Sequence, residues 1–178
     1  MDIGPPDYDD PKEPYAFYGL AAYFAQCFEQ SLILLIVAGE IIHKRSVPDL
    51  PALDALFEKL SKRTLGQLIE TVSKVISVER ILADAMVDAL EKRNYLVHHF
   101  FFLNAEKWFK DDARRAMIDE LRDLANVFRA ADVVAKAIYE PLWKKLGLSQ
   151  EKMDNALVEM GVSTDAIHPP IRIGIIDC

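Results

Sequence analysis

The stretch Glu91–Phe102, EKRNYLVHHFFF, decides how this chain is read, because it sets an arginine, an asparagine and a histidine into a helical apolar stripe. From Val78 onward apolar residues recur at Ile81 and Leu82, Ala85 and Met86, Ala89 and Leu90, Leu96 and Val97, then Phe100 and Phe101. Arg93 lies three after Leu90 and four after Ala89, on that same stripe. A guanidinium in an apolar face must be offset by a carboxylate within the fold, by a facing subunit, or by an anionic ligand. Asn94 and His98, four apart, share a helical face on which an amide can orient an imidazole, whereas Arg93 and His98, five apart, diverge. Two copies of the helix across a twofold axis would gather both arginines and both histidines around one cleft.

Outward from this stretch the chain is a succession of helices. Upstream, the residues after Pro14 form one helix of about 30 residues, roughly 45 Å long. Its second half, including Leu32–Gly39, is apolar nearly all round, which marks a central helix or one that serves both a core and a subunit interface. That run is well short of the ~20 apolar residues a membrane span needs, so no membrane partner is expected. Pro48 and Pro51 break the pattern, and Asp49 caps a short helix over Leu50–Leu60. Thr64 and Gln67 have capping-box spacing, which starts another over Leu65–Ile76. Ser77 starts the signature helix, expected to run from Val78 to Phe109.

Downstream, a long helix is expected over Asp112–Tyr139, burying Met117, Ile118, Leu121, Leu124, Phe128 and Ile138 and kinked or ended by Pro141. Gly147 suits a C-cap, and Ser149 caps a last helix over Gln150–Met160. The fold class is all-α: an antiparallel helical bundle of three long helices plus short ones. A flexible lead-in occupies 1–14, a single domain 15–161 and a tail 162–178.

Composition narrows the function. A formal charge of −7 disfavours binding of nucleic acid through a broad basic surface but leaves room for a local basic cleft. Two cysteines, Cys27 and Cys178, make no disulfide framework or cysteine metal site, which fits a reducing cytoplasm. Glu40-Ile41-Ile42-His43 is half of a di-iron ligand set, but no second copy follows, so Glu40 and His43 read as a polar helix end. The clusters Lys59-Lys62-Arg63, Lys107-Lys110-Arg114-Arg115 and Lys144-Lys145 are interspersed with acids and read as solvated faces.

The run Arg93-Asn94-Tyr95-Leu96-Val97-His98 resembles the R-x4-6-H signature of HEPN domains, with four intervening residues and a polar residue after the arginine. The motif covers six residues, and helical architecture that agrees with it spans about 15–145. The resemblance implies a small helical domain, commonly dimeric, that acts as a metal-independent endoribonuclease in toxin–antitoxin, defence or RNA-processing systems. It implies catalytic roles for Arg93 and His98 and a supporting role for Asn94. No cofactor is expected. The chemistry would be attack of a ribose 2′-hydroxyl on the neighbouring phosphate, with histidine for proton transfer and arginine for the phosphate charge. Tyr95, His99, Lys92 and Lys107 are candidate substrate contacts; for Tyr95 packing and for His99 an ordinary surface role are the simpler readings. The expected partners are RNA and a second copy. The alternative is a non-catalytic interaction module, a degenerate HEPN domain that docks an antitoxin or a nucleotidyltransferase.

Overall fold

A computed structural model describes residues 4–46, 48–75 and 80–147, together with 155 and 158. The expected start at Ser77–Val78, most of the helix over 150–160 and the tail lie outside the described residues. The described chain is all-helical, in the order α1 (Glu13–Lys44), α2 (Leu50–Ser61), α3 (Leu65–Val75), α4 (Arg80–His98), α5 (Phe100–Leu103) and α6 (Asp111–Lys145), with a 3-10 turn over Ala105–Phe109 before α6.

Local chemistry accounts for the starts. Pro14 occupies the first turn of α1, where its missing N–H costs nothing. Asp49 accepts from the Ala52 N–H at 3.0 Å to cap α2. Thr64 and Gln67 close the capping box of α3: the Thr64 N–H donates to Gln67 Oε1 at 3.0 Å, and the Gln67 N–H to Thr64 Oγ1 at 3.4 Å. Gly147 stands just beyond α6 at φ +78°, a left-handed conformation that suits a residue without Cβ.

α1 is the centre. Its surface meets α6 along most of its length and also packs on α2, α3 and α4. Leu32, Ile33 and Leu35–Ala38 are all buried, which explains an apolar character on every side. By length and composition alone α1 could cross a membrane, yet 56% of its most apolar window is enclosed by the chain's own helices.

Cross-helix pairs fix directions. Tyr8 Oη donates to Asp119 at 2.6 Å and Arg115 pairs with Asp9 at 3.0 Å at one end of α6, while Ser31 Oγ donates to Asp132 at 2.5 Å further along. α1 and α6 therefore run the same way. α4 runs against both, as Arg93–Glu29 and Tyr18–Phe100 show against α1, and Tyr95–Glu120 against α6. The bundle is thus not uniformly antiparallel: its two longest helices are parallel, and α2 to α5 form the return path between them.

Two further expectations are corrected. The helix expected over Val78–Phe109 breaks at His99 (φ −128°, ψ −25°), continues as the single turn α5 and then tightens into the 3-10 turn. Four successive bulky residues, His99 to Phe102, cannot all face one core. The bend sends Phe100 fully inside and lays Phe101 on Tyr18, centroids 4.8 Å apart. Asn104, 1% exposed, clasps the corner by donating from Nδ2 to the Phe100 carbonyl at 2.8 Å and to Tyr95 Oη at 3.2 Å. The second concerns the end of α6, expected at Tyr139: the helix runs through Pro141 and ends at Lys145. Proline removes the bond to the carbonyl of Ala137, an exposed residue whose oxygen water can serve, while Trp143, 7% exposed, anchors the final turn.

Phe28 has no exposed surface and belongs to the central core. Phe28→Ala is expected to cost about 3–5 kcal/mol of stability in urea titrations. Asn104→Ala is expected to cost about 1–3 kcal/mol and to speed hydrogen exchange at residues 99–109 ahead of the α1–α6 core.

Candidate functional site

α4 turns three faces to three environments. Leu82, Met86, Ala89 and Leu96 are buried against the core. Asp84, Val87, Glu91, Asn94 and His98, at successive steps of three and four, are all exposed and form an outward face. The flanks carry Arg93 on the α1 side and Lys92 and Tyr95 on the α6 side.

Arg93 meets a carboxylate from within the fold. Its Nε lies 3.3 Å from Glu29 Oε1 on α1, and the two side chains keep 28% and 23% of their surface open. Burial pushes the Glu29 carboxyl above its ordinary value, and the Arg93 charge and hydrogen bond pull it partly back. Of the three ways to offset the buried arginine, the fold supplies the first. The guanidinium is nevertheless engaged through Nε and remains partly open beside the outward face.

Asn94 and His98 share that outward face with no hydrogen bond between them. His98 closes α4 and His99 opens the bend; both are exposed, with ring centroids 6.2 Å apart. Tyr95 is turned to α6, where its hydroxyl donates to Glu120 Oε1 at 2.6 Å and its ring meets Phe100 edge-on at 6.0 Å. Burial, followed by the bond to Glu120, raises its pKa. Lys92 is paired with Asp88 one turn earlier. Lys107 is exposed on the 3-10 turn beyond the bend. Arg93, Asn94 and His98 thus lie on one helix within one protomer, and Lys107 is not gathered to them by α4.

Two clefts flank these residues. The one between α4 and α6, about 650 Å³, is lined by Asp88, Glu91, Asp119, Glu120 and Asp123 against a single ammonium, Lys92. Five carboxylates against two cations, Lys92 in the lining and Arg122 paired with Asp119, repel a polyanion. The other, about 570 Å³, lies between α1 and α6 and reaches Glu29, the partner of Arg93. Behind it sits a polar network missed in the sequence: Ser31 (2% exposed) donates to one oxygen of Asp132 (5% exposed), and Lys136 Nζ donates to the other at 2.7 Å. Tyr139, also buried, lines the same cleft beside Ser31. The signal was there, since Ser31 sits on the stripe of Phe28 and Leu35 and Asp132 on the stripe of Phe128 and Ala135, the same anomaly that singles out Arg93.

Glu40 pairs with Lys44 at 2.8 Å and His43 is exposed, in keeping with a polar helix end. Among the described residues no group of three or more His, Cys, Asp or Glu could hold a metal ion. Comparison of the chain with models of known protein families, with curated proteins and with solved structures returns no match.

Because the folded-state pKa of Glu29 is raised above its ordinary 4.5, the native state holds that proton more tightly than the unfolded chain does. Its contribution to stability is complete below the ordinary value and is lost as pH rises through the raised one. Denaturant titrations from pH 4 to 7 are expected to show a shallower decline for Glu29→Gln than for the native protein. Arg93→Met, which removes the compensating cation, is expected to steepen it.

Proposed function

We propose that the outward face of α4 is an RNA-cleaving site of HEPN type, completed by a second copy of the chain and working without a metal. The observation that carries this reading is that Asn94 and His98 stand open on one face while Arg93 keeps 28% of its side chain exposed at its edge. In the proposed reaction the 2′-oxygen of a ribose attacks the adjacent phosphorus, and the bond from phosphorus to the 5′-oxygen of the next nucleotide breaks. His98 of one protomer takes the 2′-hydroxyl proton, and its counterpart in the second copy protonates the leaving oxygen. Arg93 carries the charge on the phosphate, and Asn94 donates to it or holds the histidine. The products are a 2′,3′-cyclic phosphate and a 5′-hydroxyl. Pairing across a twofold axis compensates for the divergence of Arg93 and His98 on a single helix. The exposed Val87 and Val97 flank the polar residues and offer apolar contact to the second copy. A cytoplasmic setting belongs to this proposal.

A second reading rests on a specific observation: Glu29 neutralises Arg93, and the cleft on the α6 side of α4 carries five carboxylates. A non-catalytic module that docks a cognate antitoxin or nucleotidyltransferase through the same face would have no need of a cationic surface.

Purified protein in excess EDTA is expected to cleave single-stranded or structured RNA to 2′,3′-cyclic phosphate ends. Arg93→Ala and His98→Ala, each checked for folding and for oligomeric state, are expected to lower kcat/KM by about 100-fold or more. Retained cleavage in both variants, or its absence from the native protein across a broad RNA panel, would leave the docking module as the reading.

A further inference from the structure

The α1–α6 cleft is unlike the rest of the surface. Its rim on α1 is built from residues at steps of three and four: Tyr23, Gln26 and Gln30, all exposed, with Glu29 at the edge toward α4. Ser31 and Tyr139 close its inner wall. The Tyr23 ring is 52% exposed and meets Phe24 edge-on, centroids 5.4 Å apart, which leaves an aromatic face open to solvent. Both carboxylates near the cleft are compensated: Glu29 by Arg93 and Asp132 by Lys136. An RNA strand that meets repulsion on the α4–α6 side would meet no net charge here.

We propose that this cleft is a nucleobase subsite, holding one base of the RNA strand whose neighbouring phosphate lies at Arg93; the inference rests on the RNA-directed reading of α4. Glu29 makes the connection, since it both lines the cleft and holds the arginine. Tyr23 supplies the stacking face, a contact every base can accept. The hydrogen-bonding groups supply selectivity. Two amide side chains, one turn apart, each offer both a carbonyl acceptor and NH2 donors and can serve any base, whereas an ionised Glu29 offers only acceptors and tips the rim toward amino groups. Such a rim matches the exocyclic amino groups of cytosine, adenine and guanine, which uracil lacks. A volume of about 570 Å³ leaves room for a base and part of its ribose.

The test is direct binding, separate from cleavage. The full chain is titrated by calorimetry with cytidine, adenosine, guanosine and uridine 5′-monophosphates, beside a Gln26→Ala/Gln30→Ala double variant whose fold is checked by circular dichroism. Both glutamines are exposed, so the variant keeps the core. At least one amino-bearing nucleotide is expected to bind about fivefold or more tighter than uridine monophosphate, and the double variant to lose about tenfold for it. Equal binding of all four, no binding of any, or unchanged affinity in the double variant overturns the subsite. The two readings fail separately. Selective nucleotide binding by a protein that cleaves no RNA keeps the subsite and removes the nuclease. Cleavage that depends on Arg93 and His98 but keeps its base preference in the double variant does the reverse.

Discussion

Everything else in this fold depends on the pairing of α1 with α6. The two longest helices lie side by side and point the same way, with Phe28, Leu32, Leu35, Ile36, Met117, Leu121 and Phe128 fully or almost fully buried among the core residues. Burial of this kind is non-directional and does not by itself select a register. The Ser31–Asp132 bond does, because a slip of either helix would leave one oxygen of a buried carboxylate without its donor from α1, while Lys136 on the same helix holds the other. Parallel neighbours also need a return path, and α2 to α5 provide it. α4 consequently lies across both helices, held by Arg93 on one side and by Tyr95 on the other.

That placement shapes what α4 can offer. One flank faces a cleft dominated by carboxylates, and the other meets a glutamate that bridges to a charge-balanced cleft. A net charge of −7 is therefore distributed unevenly around the motif. The charge balance on the α1 side of α4 is set by ion pairs within the fold, not by any accumulation of lysine and arginine.

Much of the architecture was legible because its signals are local. Asp49, the Thr64–Gln67 box, Pro14 and Gly147 act on backbone groups within a few residues, and each does so as its position suggests. The stripe from Leu82 to Leu96 likewise states its own period. What could not be read were the choices made by distant partners. Arg93 was visibly out of place, but among its possible counter-ions nothing in the stretch pointed to Glu29, which belongs to another helix. Asp132 and Ser31 are 101 positions apart, so each alone looked like a polar interruption. The bend at His99 arises because His99–Phe102 is too bulky for one face, and Pro141 is tolerated because the carbonyl it orphans belongs to an exposed residue, Ala137. The outward placement of Asn94 and His98 followed from helical spacing.

The order in which the chain is synthesised gives the central position of α1 a consequence for biogenesis. α1 leaves the ribosome long before α6, its principal cover, and more than sixty residues of return path intervene. Throughout that interval a helix apolar enough to satisfy the criteria for a membrane span has only α2 to α5 to shelter it. The nascent chain exposes, until the last helix closes over the first, a segment that the finished fold largely conceals.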